Sequence, residues 1–280
     1  MQSNWLRILL GFSSGGLLYG ALFSQPIVAQ TLPVRVEQWL EVYSFRGDVE
    51  LLRQGQRTSA QVGQRLSRVG EGLQTGGGSS AVLAVDTQIG FINLSENTRL
   101  RLDNIEALPS GGRITEIFIE RGQARLQTRP FTNPDTRFDL RTPAATTSVR
   151  GTLYGVSVQP DGRTGVATET GAVEVSAAGE SVTVNAGFQS QVVPGNPPTP
   201  PAPLSNDPSL DLRLLQASNG QVLVQGQIDP VNLLLIREKV QTVEPDGSFR
   251  LELPLGEDRR IPVTVVTPLG REQAYELQVP

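Results

Sequence analysis

From Val42 to Leu140 the hydrophobic positions recur every second residue in short runs: Ala81/Leu83/Val85, Ile89/Phe91, Thr98/Leu100/Leu102 and Thr115/Ile117/Ile119. A period of two is that of a strand with one buried face, because successive side chains point to opposite sides of a sheet. Glycine-rich turns at residues 75–80 and 110–112 separate these runs, which predicts short strands and no long element. Helical spacing holds only at Val36, Trp39, Leu40 and Tyr43. That set predicts a turn or two of helix around Val34 to Tyr43, or else an extended leader.

The same alternation is denser from Thr142 to Gln189. Tyr154, Val156 and Val158 alternate with Leu153, Gly155 and Ser157, and the pairs Val173/Val175 and Val182/Val184 follow. Turn signals at residues 160–162, 170–171, 178–179 and 185–187 cut this stretch into an antiparallel meander.

Residues 194–203, P-G-N-P-P-T-P-P-A-P, interrupt the pattern. So much proline excludes helix and central strand and predicts an extended, semi-rigid linker. Beyond it, residues 222–226, 232–236, 248–253 and 261–266 read as strands, with a strong turn at Pro245-Asp246-Gly247. In this tail of some 70 residues, E-P-D-G-S-F at 244–249 and the pattern V-x-V-x-x-P-x-G-R at 263–271 resemble the small immunoglobulin-like modules appended to bacterial envelope proteins.

At the N-terminus a single positive charge, Arg7, precedes an apolar run to Phe23 and the sequence Pro26-Ile27-Val28-Ala29. That is the pattern of a secretory signal peptide cut after Ala29, with an uncleaved membrane anchor as the alternative. The expected location is periplasmic or secreted. The formal net charge of -4 becomes -5 without Arg7 and makes nucleic acid an unsuitable partner. Lys239 is the only lysine. Histidine and cysteine are both absent, which excludes thiol nucleophiles, disulfides, the common zinc sites and histidine-based triads. No cofactor is expected.

The segment T-P-A-A-T-T-S-V-R-G-T, followed by Gly171-Ala172-Val173-Glu174-Val175 and Ala186-Gly187-Phe188-Gln189, resembles the FecR domain of bacterial envelope proteins. Its matching residues are Thr142, Pro143, Ala145, Val149, Arg150, Gly151 and Thr152. Gly47-Asp48-Val49, residues 66–76 and Glu120 to Ala124 resemble earlier elements of that family, so the likeness covers residues 42 to 193. It implies an all-β chain: a FecR-like β-sandwich or jelly-roll-like domain of short antiparallel strands, followed by the immunoglobulin-like sandwich. The expected organisation is a signal peptide (1–29), a leader (30–41), the FecR-like domain (42–193), the linker (194–208) and the C-terminal module (209–280).

The signature residues Thr142, Pro143, Val149, Arg150, Gly151 and Thr152 are expected to serve the fold, with Arg150 as the one possible contact. Its guanidinium can clamp a carboxylate, or tie strands together through carbonyls or an internal acid, and the second role is the expected one. The pairs Glu169/Glu174 and Asp135/Asp139 are the candidate carboxylates for glycan hydrolysis, a reaction that needs two acids about 5 to 9.5 Å apart. Residues 70–76 are similar to a dinucleotide loop, but the last glycine falls one position late and no helix follows. Arg46-Gly47-Asp48 reads as a chance tripeptide. Trp39, Tyr43, Tyr154 and Tyr275 are scattered along the chain, a weak argument against an aromatic platform for sugars.

The expected function is therefore that of an exported, non-enzymatic protein that binds a protein or glycan partner, peptidoglycan included, in the bacterial envelope. A periplasmic part in a cell-surface signalling relay is the alternative, and a carboxylate hydrolase a distant third. Well-known relatives act on a sigma factor through a cytoplasmic segment. Too few residues precede the apolar run here for such a segment, so direct control of transcription is not expected.

Overall fold

The computed structural model describes residues 38–86 and 89–279, and the expected signal peptide lies outside them. Among the described residues there is no helix, and the chain is all-β. The strands of the larger part are β1 (Leu40–Arg46), β2 (Val49–Arg53), β3 (Gln56–Ser59), β4 (Arg65–Leu66), β5 (Gly72–Thr75), β6 (Ser80–Val85), β7 (Gly90–Leu94), β8 (Arg99–Ala107) and β9 (Arg113–Thr128). They continue with β10 (Arg137–Arg141), β11 (Thr146–Val149), β12 (Leu153–Val158), β13 (Thr164–Thr170), β14 (Ala172–Ala177), β15 (Glu180–Asn185), β16 (Phe188–Val192) and β17 (Ala202–Pro203). The smaller part holds β18 (Asp211–Ser218), β19 (Gln221–Gln227), β20 (Leu233–Ile236), β21 (Lys239–Gln241), β22 (Ser248–Pro254), β23 (Arg260–Val266) and β24 (Glu272–Gln278).

The larger part has two layers. One runs β4-β1-β6-β7-β9-β12-β13-β16-β17 and is called here the front layer. The back layer runs β3-β2-β5-β8-β9-β10-β11-β14-β15. Strand β9 belongs to both. Its first half pairs with β8 and β10, its second half with β7 and β12. The chain turns between layers at Gly122, where the Thr98 hydroxyl accepts from Gln123 N–H (3.0 Å) and donates to Gln123 C=O (3.1 Å). Strands that bend from one sheet into another are how an orthogonal sandwich forms its corners. Among the described residues all pairings are antiparallel except β9 with β10.

Between the layers lies one continuous core, with Leu83, Leu100, Ile117, Leu140, Tyr154, Val156, Val166, Val173 and Val184 among its fully buried members. The alternation read at Tyr154/Val156/Val158 and Val173/Val175 therefore points inward as expected. At Ile89/Phe91 it does not: Ile92 and Leu94 are buried, and Phe91 lies on the outer face. The helical spacing read over Val34 to Tyr43 loses in its described part, where Leu40 and Val42 are buried in β1, which pairs with β6; residues 34–37 lie outside the described residues. Four matched positions are too few for a helix to outlast strand pairing. Tyr154 links the layers, with its hydroxyl 3.0 Å from the Thr147 hydroxyl, which in turn donates to Leu140 C=O (3.2 Å). Tyr154→Phe leaves the volume unchanged and removes this bond, and should cost about 1 kcal/mol. Calorimetry checks this; an unchanged melting temperature would mean the bond contributes nothing net.

The proline-rich segment is extended, and it lies along the β16 edge of the front layer. Thr199 N–H donates to Gln191 C=O (2.9 Å), Gln191 N–H donates to the Thr199 hydroxyl (2.9 Å), and Leu204 N–H donates to Gly187 C=O (2.8 Å). Pro197, Pro198, Pro200, Pro201 and Pro203 offer no N–H on the far side, so no further strand can add there.

The smaller part is a two-sheet module, β18-β19-β22 against β21-β20-β23-β24. Its core holds Val224, Leu234, Phe249, Ile261 and Val265. The turn at 245–247 forms as read: Gly247 N–H donates to Glu244 C=O (2.8 Å), and the Asp246 carboxylate accepts from Ser248 N–H (2.9 Å).

Candidate functional site

The signature segment divides into two ends with different surroundings. At the T-P-A-A end the chain turns between β10 and β11. The Thr142 hydroxyl accepts from Ala145 N–H (2.9 Å) and from the Thr164 hydroxyl (2.9 Å), and Thr142 is buried. Pro143 is exposed and packs over Gly162, in the hairpin between β12 and β13. This end therefore ties a turn of the back layer to a turn of the front layer.

At the V-R-G-T end the chain crosses from β11 in the back layer to β12 in the front layer. Val149 and Thr152 are buried. Thr152 C=O accepts from Thr128 N–H (3.0 Å), and Thr152 N–H donates to the Thr128 hydroxyl (3.2 Å). Gly151 sits at φ +108°, and a Cβ there would lie 2.5 Å from Pro130 Cα. The glycine is required twice over, by the backbone conformation and by the contact. Arg150 is at the tip of this corner, exposed, with no hydrogen bond or ion pair among the described residues. The tie expected of Arg150, through carbonyls or an internal acid, is not present there.

The candidate carboxylate pairs are not brought together. Glu169 projects from the outer face of the front layer and pairs with Arg125 (3.2 Å), while Glu174 lies on the outer face of the back layer. Asp135 is an exposed turn residue. Asp139 lies within β10, ion-paired with Arg137 (2.7 Å) and accepting from the Ser148 hydroxyl (2.7 Å). Burial raises the Asp139 pKa above the ordinary carboxylate value against the opposing effects of Ser148 and Arg137. No group of three or more acidic residues able to hold a metal ion occurs among the described residues. Of the aromatic residues, Tyr154 is in the core, where burial raises its pKa, and Tyr275 donates to Pro208 C=O (3.2 Å). Tyr43 meets Phe91 edge to face at 5.5 Å on the front layer.

Sequence reasoning missed the most extensive polar cluster, which joins the C-terminal module to the outer face of the front layer. Arg163 is 6 % exposed, donates to Val243 C=O and pairs with Asp161 at 3.0 Å. Gln159 accepts from Val243 N–H (3.1 Å), Gln191 donates to Pro230 C=O (3.0 Å), and Ser157 donates to Val231 C=O. Gln123 donates to Pro268 C=O at 2.6 Å, and Gln189 donates to both oxygens of the Asp229 carboxylate. Leu233, Leu235 and Val266 are buried apart from the module's own core. The seat opposite has no bulk: a Cβ on Gly155 would overlap the Pro268 carbonyl, and one on Gly165 would lie 2.6 Å from Val231 C=O. Glutamine, serine and glycine at outward-facing strand positions were the available signal. An open sheet face normally carries charged residues there.

Residues 71–174 match the family model described as FecR protein. The matched segment begins just before β5 and ends within β14, and it contains the signature residues 142–152. Two crystal structures of a candidate anti-sigma factor from Parabacteroides distasonis ATCC 8503 are similar to this chain at 21% and 22% identity. Their TM-scores are 0.38 and 0.37, and each match covers 44% of this chain and 55% of the other. No protein with a curated description matches the sequence. Among the described residues no helix is long and apolar enough to cross a membrane.

Proposed function

We propose that this protein is a non-enzymatic component of cell-surface signalling in the bacterial envelope, working outside the cytoplasm by binding a protein or glycan partner. The observation that carries this reading is the FecR match over residues 71–174, since that family is envelope-associated and regulatory. The polar groups between the module and the front layer are engaged with each other, as in a structural seat and unlike a catalytic site. The separation of Glu169 from Glu174, and the engagement of Asp139 by Arg137 and Ser148, favour binding over hydrolysis. The C-terminal module, read as immunoglobulin-like, is fixed to the front layer by the hydrogen bonds of Arg163, Gln159 and Gln123.

Arg150 is the contact residue in this reading, because it is exposed and uncommitted at a corner whose other residues are held in place. A planar guanidinium suits a partner carboxylate or a chain of carbonyls. Affinity capture from envelope extracts with the purified chain tests the proposal. Arg150→Ala should shift stability by no more than about 0.5 kcal/mol, as expected for an exposed side chain, and should lose the captured partner. Recovery of a membrane transporter or sensor supports the signalling role, and co-sedimentation with peptidoglycan supports the glycan partner. Capture of neither, or cleavage of a glycan panel, would overturn the reading.

A further inference from the structure

The edges of the two layers are not treated alike. The β16 edge is sealed by the proline-rich segment, and β3 at one end of the back layer carries Arg57, a charge that discourages pairing. At the other end β15 pairs only with β14 among the described residues. Five consecutive residues, Ser181-Val182-Thr183-Val184-Asn185, contain no charge, proline or glycine. Their register with β14 is unbroken from Glu180 to Asn185. β15 carries a charge only at its first residue, Glu180, and the regular, uncharged, β-branched edge beyond it is a template for a further strand.

We propose that β15 is a self-association edge, at which a second copy of this chain pairs antiparallel with Thr183 on the two-fold axis. Ala186 N–H donates to Gly171 C=O, so by the alternation of an antiparallel ladder the backbone groups of Glu180, Val182 and Val184 face β14. Those of Ser181, Thr183 and Asn185 face outward. With Thr183 opposite itself, Ser181 of each copy meets Asn185 of the other, and every outward N–H and C=O in the strand finds a partner. Val182 then faces Val184 across the axis on the inner side, which extends the core layer and covers Val182, now only partly buried. No like charges are opposed. A C2 interface must be self-complementary, and this register meets that condition.

The test uses the protein purified after export from its full-length gene. Sedimentation velocity across the micromolar range should show a concentration-dependent dimer. Thr183→Lys places two ammonium groups opposite each other and should lose the dimer while the melting temperature holds. Because the chain has no cysteine, Thr183→Cys with a short bis-maleimide should give a covalent dimer, and Arg57→Cys on the opposite edge should not. This readout stands even if the lysine variant fails to fold. A wild-type chain that stays monomeric, a Thr183→Lys variant that dimerises as before, or cross-linking at Arg57→Cys in place of Thr183→Cys would each overturn the proposal.

Discussion

Gly151→Val should unfold or severely weaken the larger part of this protein. The position requires φ +108°, and its Cβ would stand 2.5 Å from Pro130 Cα and 2.8 Å from Pro130 N. A β-branched residue in that region costs about 1–3 kcal/mol in backbone strain. The clash is with main-chain atoms, which no rotamer relieves, and overpacking of this kind adds about 1–3 kcal/mol more. A total of about 4 kcal/mol corresponds to a fall of roughly 10 °C in the melting temperature of a chain this size. The corner is coupled to its neighbours through Thr128–Thr152, and Gly171 sits against Gly151 C=O, so the loss should appear as one cooperative transition. Thermal unfolding followed by circular dichroism would decide it. A variant that melts with the wild type would remove the tight corner as the reason for the glycine.

Glycine beside arginine in a signature can mean a binding loop or a corner, and only the three-dimensional path separates the two. The strand alternation was legible because inward positions such as Tyr154, Val156, Val173 and Val175 are hydrophobic and fully buried, and the sandwich follows from that pattern. The crossing of β9 from one layer to the other was not legible. Residues 113–128 form one uninterrupted strand, and the change of partners at Gly122 depends on Thr98, 24 positions earlier in the chain. At Phe91 the alternation points to the wrong face for a related reason: the run is two positions long in the hydrophobic pattern, and Ile89 precedes the strand. A one-residue shift in such a short run flips every side chain.

The role of the proline-rich segment was legible only in its local conformation. Extended backbone was expected from composition, but its position depends on Gln191, Gly187 and Gln189 offering hydrogen bonds to Thr199, Leu204 and Ser205. Those partners belong to an edge strand that composition does not reveal. The same holds for the seat of the module, whose glycines and glutamines look unremarked in a one-dimensional reading. They make sense once a second body covers them, because a covered face needs neutral hydrogen-bonding groups and close approach more than solvating charge.

Gly155→Val should release the C-terminal module while leaving the larger part folded. The added Cβ would overlap the carbonyl of Pro268, a main-chain group held in a turn by Thr267 and Arg271, so the module must move away. Displacing it leaves Arg163, Gln159 and Ser157 without the carbonyls and N–H they use at Val243 and Val231. A buried guanidinium that loses its acceptor is costly, and water must then enter the seat. Several side chains share the loss, so the seating should fail as a unit, at a cost of about 3 kcal/mol or more from the clash alone. The front layer's inner face, with Tyr154 and Val156, is untouched by the change. Two thermal transitions should therefore replace one. Residues 205–210, which wild type anchors through Asp229, Asn232 and Tyr275, should become open to limited proteolysis. A single transition at the wild-type temperature, with residues 205–210 still resistant, would show that the module does not depend on this seat.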